Sequence, residues 1–238
     1  MPEAGVTPPA VSVVIATCNQ ATTLPETLRC LRTQTLAPHR WELLIIDDGS
    51  TDETAEILRR DAGWAQVVRQ ENRGLPAACN TGLGLARGRY LARMDSDDSA
   101  APDWLERMTD ALEAAPDASC AVPDRFETDG RTHRLVRSEP DNLYSLIACG
   151  TLFRTKLLRS IGGYRPFYWE EYDLYLRLRP MGSFLHVRSA LYTYRKHAGA
   201  MTQSREARHR GWRELASVWG EQALRSAGPN PDLEEALR

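Results

Sequence analysis

Three aspartates stand within four residues after a short apolar segment: Asp95, Asp97 and Asp98 follow the run 90–94. Two carboxylates about 4 Å apart repel by about 4 kcal/mol at an effective dielectric constant near 20. A hard divalent cation with oxygen ligands would relieve this repulsion. If the apolar run is a strand of an open α/β sheet, the cluster lies at its carboxy end, where such folds bind ligands. The sequence therefore predicts a metal site that receives the diphosphate of a nucleotide.

Two other interpretations of this segment are less favoured. A calcium loop of the EF-hand type that starts at Asp95 needs glycine at its sixth position, where Ala100 stands, and Pro102 lies inside the loop. The segment before Asp95 also has a strand pattern and not a helical one. A solvated acidic turn is the second alternative, and it leaves the repulsion among the carboxylates unrelieved.

A second acidic pair, Asp47 and Asp48, follows the buried run 41–46. Turn and helix-cap chemistry explains the next two residues, Gly49 and Ser50, because glycine favours turns and serine caps helices. It does not explain two adjacent carboxylates at the end of a buried strand. A carboxylate there could accept the imide N–H of a uracil or the N–H pair of a guanine, and Asp48 is the favoured candidate.

A third acidic group, Glu170, Glu171 and Asp173, opens a predicted helix. The helix dipole favours carboxylates at this position, which is the structural explanation of the group. The neighbouring Tyr168 and Trp169 indicate a pocket wall, because aromatic faces pack on sugar rings. In such a pocket one of the carboxylates could act as a general base.

A basic segment, Tyr194-Arg195-Lys196-His197, lies near the end of the second half. It could neutralise a phosphate. A single histidine is more often structural or exposed than a ligand, so the residue types alone leave the role of His197 open.

The elements that must position these groups alternate along the first 98 residues. The pattern predicts strands at 11–16, 41–46, 66–69 and 90–94, and helices at 23–35, 50–61 and 74–88. This alternation indicates a parallel sheet with right-handed crossovers and helices on its faces, an α/β fold.

The second half is predicted to be less regular. Helices are expected at 102–115, 155–161, 169–179 and 204–224, strands at 119–123, 149–154, 184–187 and 191–195, and a hairpin or surface loops at 125–140. No linker is visible. We therefore expect a disordered tail at 1–9, one domain at 10–227 and a second tail at 228–238. Within the domain, 10–99 is the nucleotide-binding half, 100–202 the acceptor half and 203–227 a C-terminal helix.

Composition limits the function classes. The 238 residues carry a net charge of −2, which disfavours nucleic acid as a partner. Five widely spaced cysteines without a CxxC pair exclude a zinc knuckle and a thioredoxin-like motif. No run approaches the roughly 20 apolar residues of a membrane span, and no signal peptide is recognisable. We expect a cytoplasmic protein.

Six segments in order resemble the inverting glycosyltransferases of family two, which have the Rossmann-like GT-A fold. The resemblance covers about residues 11–202. Its segments are Val14-Ile15-Ala16-Thr17-Cys18-Asn19, Ile46-Asp47-Asp48-Gly49-Ser50-Thr51-Asp52, Asn72-Arg73-Gly74 with Ala78-Cys79-Asn80-Thr81-Gly82, Ala86-Arg87-Gly88-Arg89-Tyr90, Asp95-Ser96-Asp97-Asp98, and Gly162-Gly163-Tyr164 with Glu170-Glu171-Tyr172-Asp173.

The resemblance implies roles for the matching positions. Thr17 and Asp48 would contact the base and ribose of the donor, and Asp95 and Asp97 would reach the ribose and a Mn²⁺ or Mg²⁺ ion. Asp98 would be a further metal ligand. The other implied positions are nucleotide contacts at Asn19, Asn80 and Ser96 and a metal or phosphate contact at His197.

Glu171 matches the family's catalytic base, which is an aspartate. Because the glutamate is one methylene longer, Glu170 and Asp173 remain alternatives for the base.

The resemblance implies transfer of one sugar, a hexose or N-acetylhexosamine, from a nucleotide-diphosphate sugar to an acceptor hydroxyl. A UDP-sugar is the expected donor, and a saccharide or lipid-linked molecule is the expected acceptor. The pattern Q-x-x-R-W of processive synthases is missing. Two other classes stay open: a sugar nucleotidyltransferase, and a catalytically silent nucleotide- or glycan-binding module.

The basic segment 205–213 could contact a membrane surface, although packing on its own domain is favoured. A homodimer is left open.

Overall fold

A computed structural model describes residues 8–197 and 204–238. The described strands form one mixed sheet with the order β3-β2-β1-β4-β8-β6-β9-β5, and β7 pairs with β6. The strands are β1 (Val11–Thr17), β2 (Trp41–Asp48), β3 (Gln66–Gln70), β4 (Tyr90–Asp95), β5 (Ser99–Ala100), β6 (Ala118–Thr128), β7 (His133–Val136), β8 (Leu152–Arg154) and β9 (Ser183–Arg195).

Helices cover both faces of this sheet, which confirms the predicted α/β class. They are α1 (Leu24–Leu31), α2 (Thr54–Asp61), α3 (Leu75–Leu85), α4 (Trp104–Ala114), α5 (Thr155–Ser160), α6 (Glu170–Leu178), α7 (Arg205–Trp219), α8 (Glu221–Arg225) and α9 (Pro231–Ala236). In the described ranges no helix is both long enough and apolar enough to cross a membrane.

The first four strands are parallel, as the alternation of elements predicts. The register pairs Thr17 with Asp47 across β1 and β2, and Ala16 with Asp95 across β1 and β4. Since parallel strands end at the same edge of a sheet, this register brings the acidic ends of β2 and β4 to one side of the molecule.

The apolar run of β1 is continuous because both faces of the sheet are covered. Val13 and Ile15 pack into the core beneath α1, α2 and α4, and Val14 packs on the other face against Leu83 of α3. Successive side chains of a strand point to opposite faces, so one short segment anchors both halves of the core.

The second half is more regular than predicted. The two short strands expected at 184–187 and 191–195 are one strand, β9, which runs parallel to β6. The strand β8 pairs antiparallel with both β4 and β6 and so joins the halves into one sheet. The hairpin expected at 125–140 is present as β6 and β7.

The tail predicted at 228–238 is wrong. Residues 231–236 form α9, in which Leu233 is buried, and Asp232 accepts a hydrogen bond of 2.8 Å from the indole N–H of Trp212 in α7. The predicted helix 204–224 is divided at Gly220, where φ is +79°. Of the tail expected at 1–9, only residues 8 and 9 lie inside the described ranges.

Candidate active site

Many of the predicted site residues meet at one cavity of about 370 Å³ at the carboxy ends of β1 and β4. The start of α6 and the end of β9 form the opposite wall. The lining residues are Ala16, Cys18, Gln20, Leu75, Arg93, Asp95, Ser96, Asp97, Ile147, Cys149, Tyr168, Trp169, Glu170, Glu171, Tyr194 and His197. A shallower depression of about 900 Å³ over α2 contains none of the predicted site residues.

The loop after β4 carries Asp97 into this cavity. A hydroxyl of α1, Thr27, donates hydrogen bonds to the carbonyls of Ser96 (3.1 Å) and Asp98 (2.7 Å) and so fixes the loop. An oxygen of Asp97 lies 2.8 Å from Nε2 of His197. Burial and the nearby Asp95 raise the pKa of Asp97 above its usual value. The chain thus brings together two predicted metal contacts that are 100 residues apart.

Asp98, a third predicted metal ligand, lies behind the cavity wall and not on it. Its oxygens accept hydrogen bonds of 2.8 Å from the hydroxyl of Tyr192 and from the backbone N–H of Arg195. Burial and the charge of Asp95 raise its pKa well above the usual value. Its carboxylate lies close to Asp95 and the thiol of Cys149. Both oxygens therefore have internal partners that join the loop to β9.

The start of α6 brings two adjacent glutamates to the opposite wall. Glu170 is buried and pairs with Arg93, with 2.7 Å between Oε1 and Nη1. Glu171 is partly exposed, and its Oε2 accepts a hydrogen bond of 3.0 Å from the backbone N–H of Ala148. Burial and the adjacent Glu170 raise the pKa of Glu171 to about 7. A carboxylate with this pKa is suited to take up a proton near neutral pH.

Asp173, an alternative for the base, does not reach the cavity. Its side chain is completely buried, and one oxygen lies 2.7–2.8 Å from two nitrogens of Arg177. The other oxygen accepts a hydrogen bond of 3.0 Å from the indole of Trp219. The structure thus contradicts Asp173 as the base and gives it a role in holding α6 against α7.

On the donor side, Asp48 orders the loop before α3. One oxygen accepts hydrogen bonds from the side chain of Gln70 (2.7 Å) and the N–H of Arg73 (2.9 Å), and the other from the N–H of Gly74 (2.8 Å). The base contact expected of Asp48 stays a prediction. Thr17 is buried beside the cavity, and its hydroxyl has no hydrogen-bond partner among the described residues.

Two asparagines expected to contact the nucleotide lie outside the cavity lining. Asn19, in a left-handed conformation with φ +55°, accepts hydrogen bonds from the N–H groups of Thr51 and Asp52. Asn80 binds both backbone polar groups of Tyr164, at 2.7 and 2.8 Å. Both amides connect segments that are distant in sequence, and the nucleotide contacts expected of them stay predictions.

The sequence interpretation missed Arg93, which lies in the cavity wall. Its Nε donates a hydrogen bond of 3.1 Å to Asp95. A signal was available: an arginine two residues before Asp95 in an otherwise apolar strand must share a face with it. A buried guanidinium requires a carboxylate partner, and two are present.

The charges of the lining residues fit a divalent cation. Among the described residues that line the cavity, four carboxylates, those of Asp95, Asp97, Glu170 and Glu171, face one permanently charged cation, Arg93. His197 adds an imidazole nitrogen beside Asp97. Oxygen and imidazole donors in this proportion suit Mn²⁺ or Mg²⁺. Such a counter-charge would favour the binding of a diphosphate in this acidic cavity.

Comparisons with known proteins assign this chain to a family. The profile of glycosyl transferase family 2 matches residues 12–172, so the chain belongs to that family. Among relatives, EpsH of Bacillus subtilis (strain 168) is 32% identical over 210 residues. The match covers 82% of this chain and 58% of EpsH, so the chain spans little more than half of that relative.

Two solved structures confirm the fold. TarS 1–349 of S. aureus in complex with UDP-GlcNAc superposes with a TM-score of 0.72 at 17% identity, over 91% of this chain and 70% of the TarS 1–349 chain. The mannosyltransferase PcManGT of Pyrobaculum calidifontis, in complex with GDP-Man and Mn²⁺, gives a TM-score of 0.66 at 20% identity, over 97% and 68% of the two chains. These similarities establish the GT-A architecture predicted from the motifs.

Proposed function

We propose that this chain transfers one sugar from a nucleotide-diphosphate sugar to an acceptor hydroxyl with inversion at the anomeric carbon. The observation that carries the proposal is that Glu171 faces the same cavity as Asp95 and Asp97. A base on one wall and a donor-binding acidic group on the other are what an in-line displacement requires. Family membership supports the reaction class, and polysaccharide biosynthesis is the expected context.

Asp97 and His197, with Asp95 beside them, would hold the divalent ion, and the metal contact expected of Asp98, which lies close to Asp95, stays a prediction. When bound, Mn²⁺ or Mg²⁺ would stabilise the negative charge that develops on the departing diphosphate. The close contact of Asp97 with His197 and the excess of carboxylates support this assignment. PcManGT, which was crystallised with Mn²⁺, also supports it.

Glu171 would act as the base. As the acceptor oxygen forms its bond to the anomeric carbon, the bond to the diphosphate breaks and the acceptor proton passes to Glu171. The hydrogen bond from Ala148 to Oε2 orients the group and leaves Oε1 without a hydrogen-bond partner among the described residues. The pairing of Glu170 with Arg93 supports the choice of Glu171 over its neighbour.

The donor is proposed to be a UDP-sugar, a hexose or N-acetylhexosamine derivative. TarS binds UDP-GlcNAc and PcManGT binds GDP-Man, so the nucleobase of the donor must be tested directly. Tyr168 and Trp169, which line the cavity beside Glu171, would pack against the sugar ring of a saccharide or lipid-linked acceptor. Cytoplasmic location, peripheral membrane contact and a homodimer remain predictions.

A thermal-shift panel of UDP, GDP and dTDP, each with and without Mn²⁺, tests the binding part of this proposal. We expect UDP to stabilise the protein only with Mn²⁺, by about 2.7 kcal/mol at a hundredfold excess over the dissociation constant. Asp97→Asn should abolish this shift, and Asp110→Asn, on the exposed side of α4, should leave it unchanged.

Catalysis is tested by UDP release from UDP-glucose, UDP-galactose and UDP-N-acetylglucosamine with water as the acceptor. We expect Mn²⁺-dependent release by the native protein and its loss in Glu171→Gln. Nucleotide binding without turnover of any donor would favour the silent binding module instead. No response to any nucleotide would overturn the whole proposal.

A further inference from the structure

Arg93 connects the donor wall of the cavity to the acceptor helix. Its Nε lies 3.1 Å from Asp95 at the end of β4, and its Nη1 lies 2.7 Å from Glu170 at the start of α6. The side chains of Arg93 and Glu170 are only 6% and 5% exposed. One guanidinium therefore holds two elements that enclose the cavity and are 75 residues apart.

Backbone contacts on both sides fix the position of Arg93 in the sheet. Arg93 pairs with Val14 of β1, and its carbonyl accepts a hydrogen bond of 2.9 Å from the N–H of Gly150. The planar guanidinium presents several N–H donors in a fixed arrangement, so it can serve two carboxylates at once. A lysine ammonium at the end of a flexible chain lacks this geometry.

Anchoring Glu170 also sets the direction of Glu171. Adjacent residues of a helix point about 100° apart, so a fixed Glu170 fixes the orientation of the next side chain. Glu171 has no cation partner in the described residues and keeps its hydrogen bond from Ala148. The two neighbouring glutamates thus differ: Glu170 is held by the guanidinium, and Glu171 faces the cavity.

We propose that Arg93 is a positioning residue, which holds α6 against the donor wall through Glu170 so that Glu171 is presented to the acceptor. The proposal rests on the proposed function, because it assigns a partner to the base of that reaction. It predicts that loss of the Arg93 contacts lowers the turnover rate strongly and weakens donor binding only slightly. A purely structural ion pair would lower stability without changing the kinetics of the folded molecules.

The variant Arg93→Lys tests the proposal. The assay is UDP release from the three UDP-sugars in the presence of Mn²⁺. We expect kcat to fall by about 10- to 100-fold, while the KM for the UDP-sugar stays within about threefold, because a misplaced base affects the chemical step. Glu170→Ala should have a similar effect on kcat. Combining the two changes should cost little more than either alone, since both remove the same anchor.

Arg125→Lys is the matched control. Arg125 is a second buried arginine, 2.9 Å from Glu127 with both side chains 9% exposed, and it does not line the cavity. Its variant should lose stability and keep the kcat of the native protein. Glu170→Gln should retain more than a tenth of the native kcat, because its amide oxygen can still accept the hydrogen bond from Arg93.

A native kcat in Arg93→Lys or in Glu170→Ala would overturn the inference, as would an equal kcat loss in Arg125→Lys. If Arg93→Lys does not fold, Glu170→Ala alone decides, because it leaves Arg93 paired with Asp95. Failure of the proposed function is distinct from these results. It would appear as a native protein that releases no UDP from any of the three donors.

Discussion

The carboxylate of Glu171 accepts a hydrogen bond of 3.0 Å from the backbone N–H of Ala148. This contact joins the start of α6 to the loop before β8 and keeps the carboxylate on the cavity wall. Burial there, next to Glu170, raises its pKa to about 7. The same placement affects both the pH dependence of the reaction and the stability of the fold.

The first prediction concerns turnover. Because a general base must be deprotonated, kcat should rise with pH and show an inflection near pH 7. Glu171→Gln should lower kcat by about 10²–10⁴-fold and remove the inflection. A pH–rate profile between pH 5.5 and 8.5 checks both results. A profile without an inflection in the native protein would contradict Glu171 as the titrating base.

The second prediction concerns stability. Between pH 4.5 and 7 the native state keeps the proton of Glu171 while the unfolded state, with the ordinary pKa of 4.5, loses it. The free energy of unfolding therefore falls as pH rises through this window, by up to about 3 kcal/mol from this group.

Glu171→Gln removes this loss, so the variant should be more stable than the native protein at pH 8 and equally stable at pH 4.5. Denaturant titrations without metal at both pH values measure the difference. Equal stabilities at pH 8 would show that the carboxylate is not destabilised by its surroundings.

The third prediction separates Asp173 from Glu171. Asp173→Asn breaks a buried pair with Arg177 and weakens the contact with Trp219. The free energy of unfolding should fall by about 3–5 kcal/mol, because the guanidinium is left without its charge partner. Molecules that remain folded should keep their turnover. A large kcat loss at native stability would restore Asp173 as a candidate base.

The fourth prediction compares two glycines of α3. A Cβ added at Gly82 would lie 2.3 Å from a methyl group of Val14, whereas one added at Gly84 meets no atom within 4 Å. Gly82→Ala should lower the free energy of unfolding by about 1–3 kcal/mol through overpacking. Gly84→Ala should raise it by about 0.4–1 kcal/mol through loss of unfolded-state entropy. Denaturant unfolding of both variants checks the opposite signs.

The fifth prediction concerns α9. Leu233 is 1% exposed and packs in the core cluster that includes Trp212, so Leu233→Ala should cost about 2–5 kcal/mol. Val218→Ala, at a residue 53% exposed on α7, should change stability by less than about 0.5 kcal/mol. Urea titrations measure the free energy of unfolding of both variants. If both had the free energy of unfolding of the native protein, the terminal helix would not be part of the folded core.

Much of the architecture follows from the sequence alone. Continuous apolar runs that alternate with helical segments define three of the four parallel strands, β1, β2 and β4, because each of these runs must be buried on both faces of a sheet. Asp47, Asp48, Asp95 and Asp97 stand directly after two of these runs, so their position at one edge was predictable. The motifs also identified the family, the GT-A fold and the acidic helix that carries Glu171.

Only the tertiary structure decided which partner each carboxylate at the start of α6 has. The resemblance favours Glu171 as the base, but the sequence leaves Glu170 and Asp173 as alternatives at the start of α6. The difference arises from distant partners: Arg93 of β4 pairs with Glu170, Arg177 with Asp173, and neither with Glu171. The amides of Asn19 and Asn80 likewise bind segments distant in sequence, partners that the local sequence does not reveal.

The terminal helix was missed because its main support is also distant. A six-residue segment gains little helical stability by itself, and α9 is held by the burial of Leu233 and by the bond from Trp212 to Asp232. The sequence thus determined the strands, their acidic ends and the chemistry available there. The roles of individual side chains depended on contacts between residues far apart in the chain, and these exist only once the sheet and its helices have assembled.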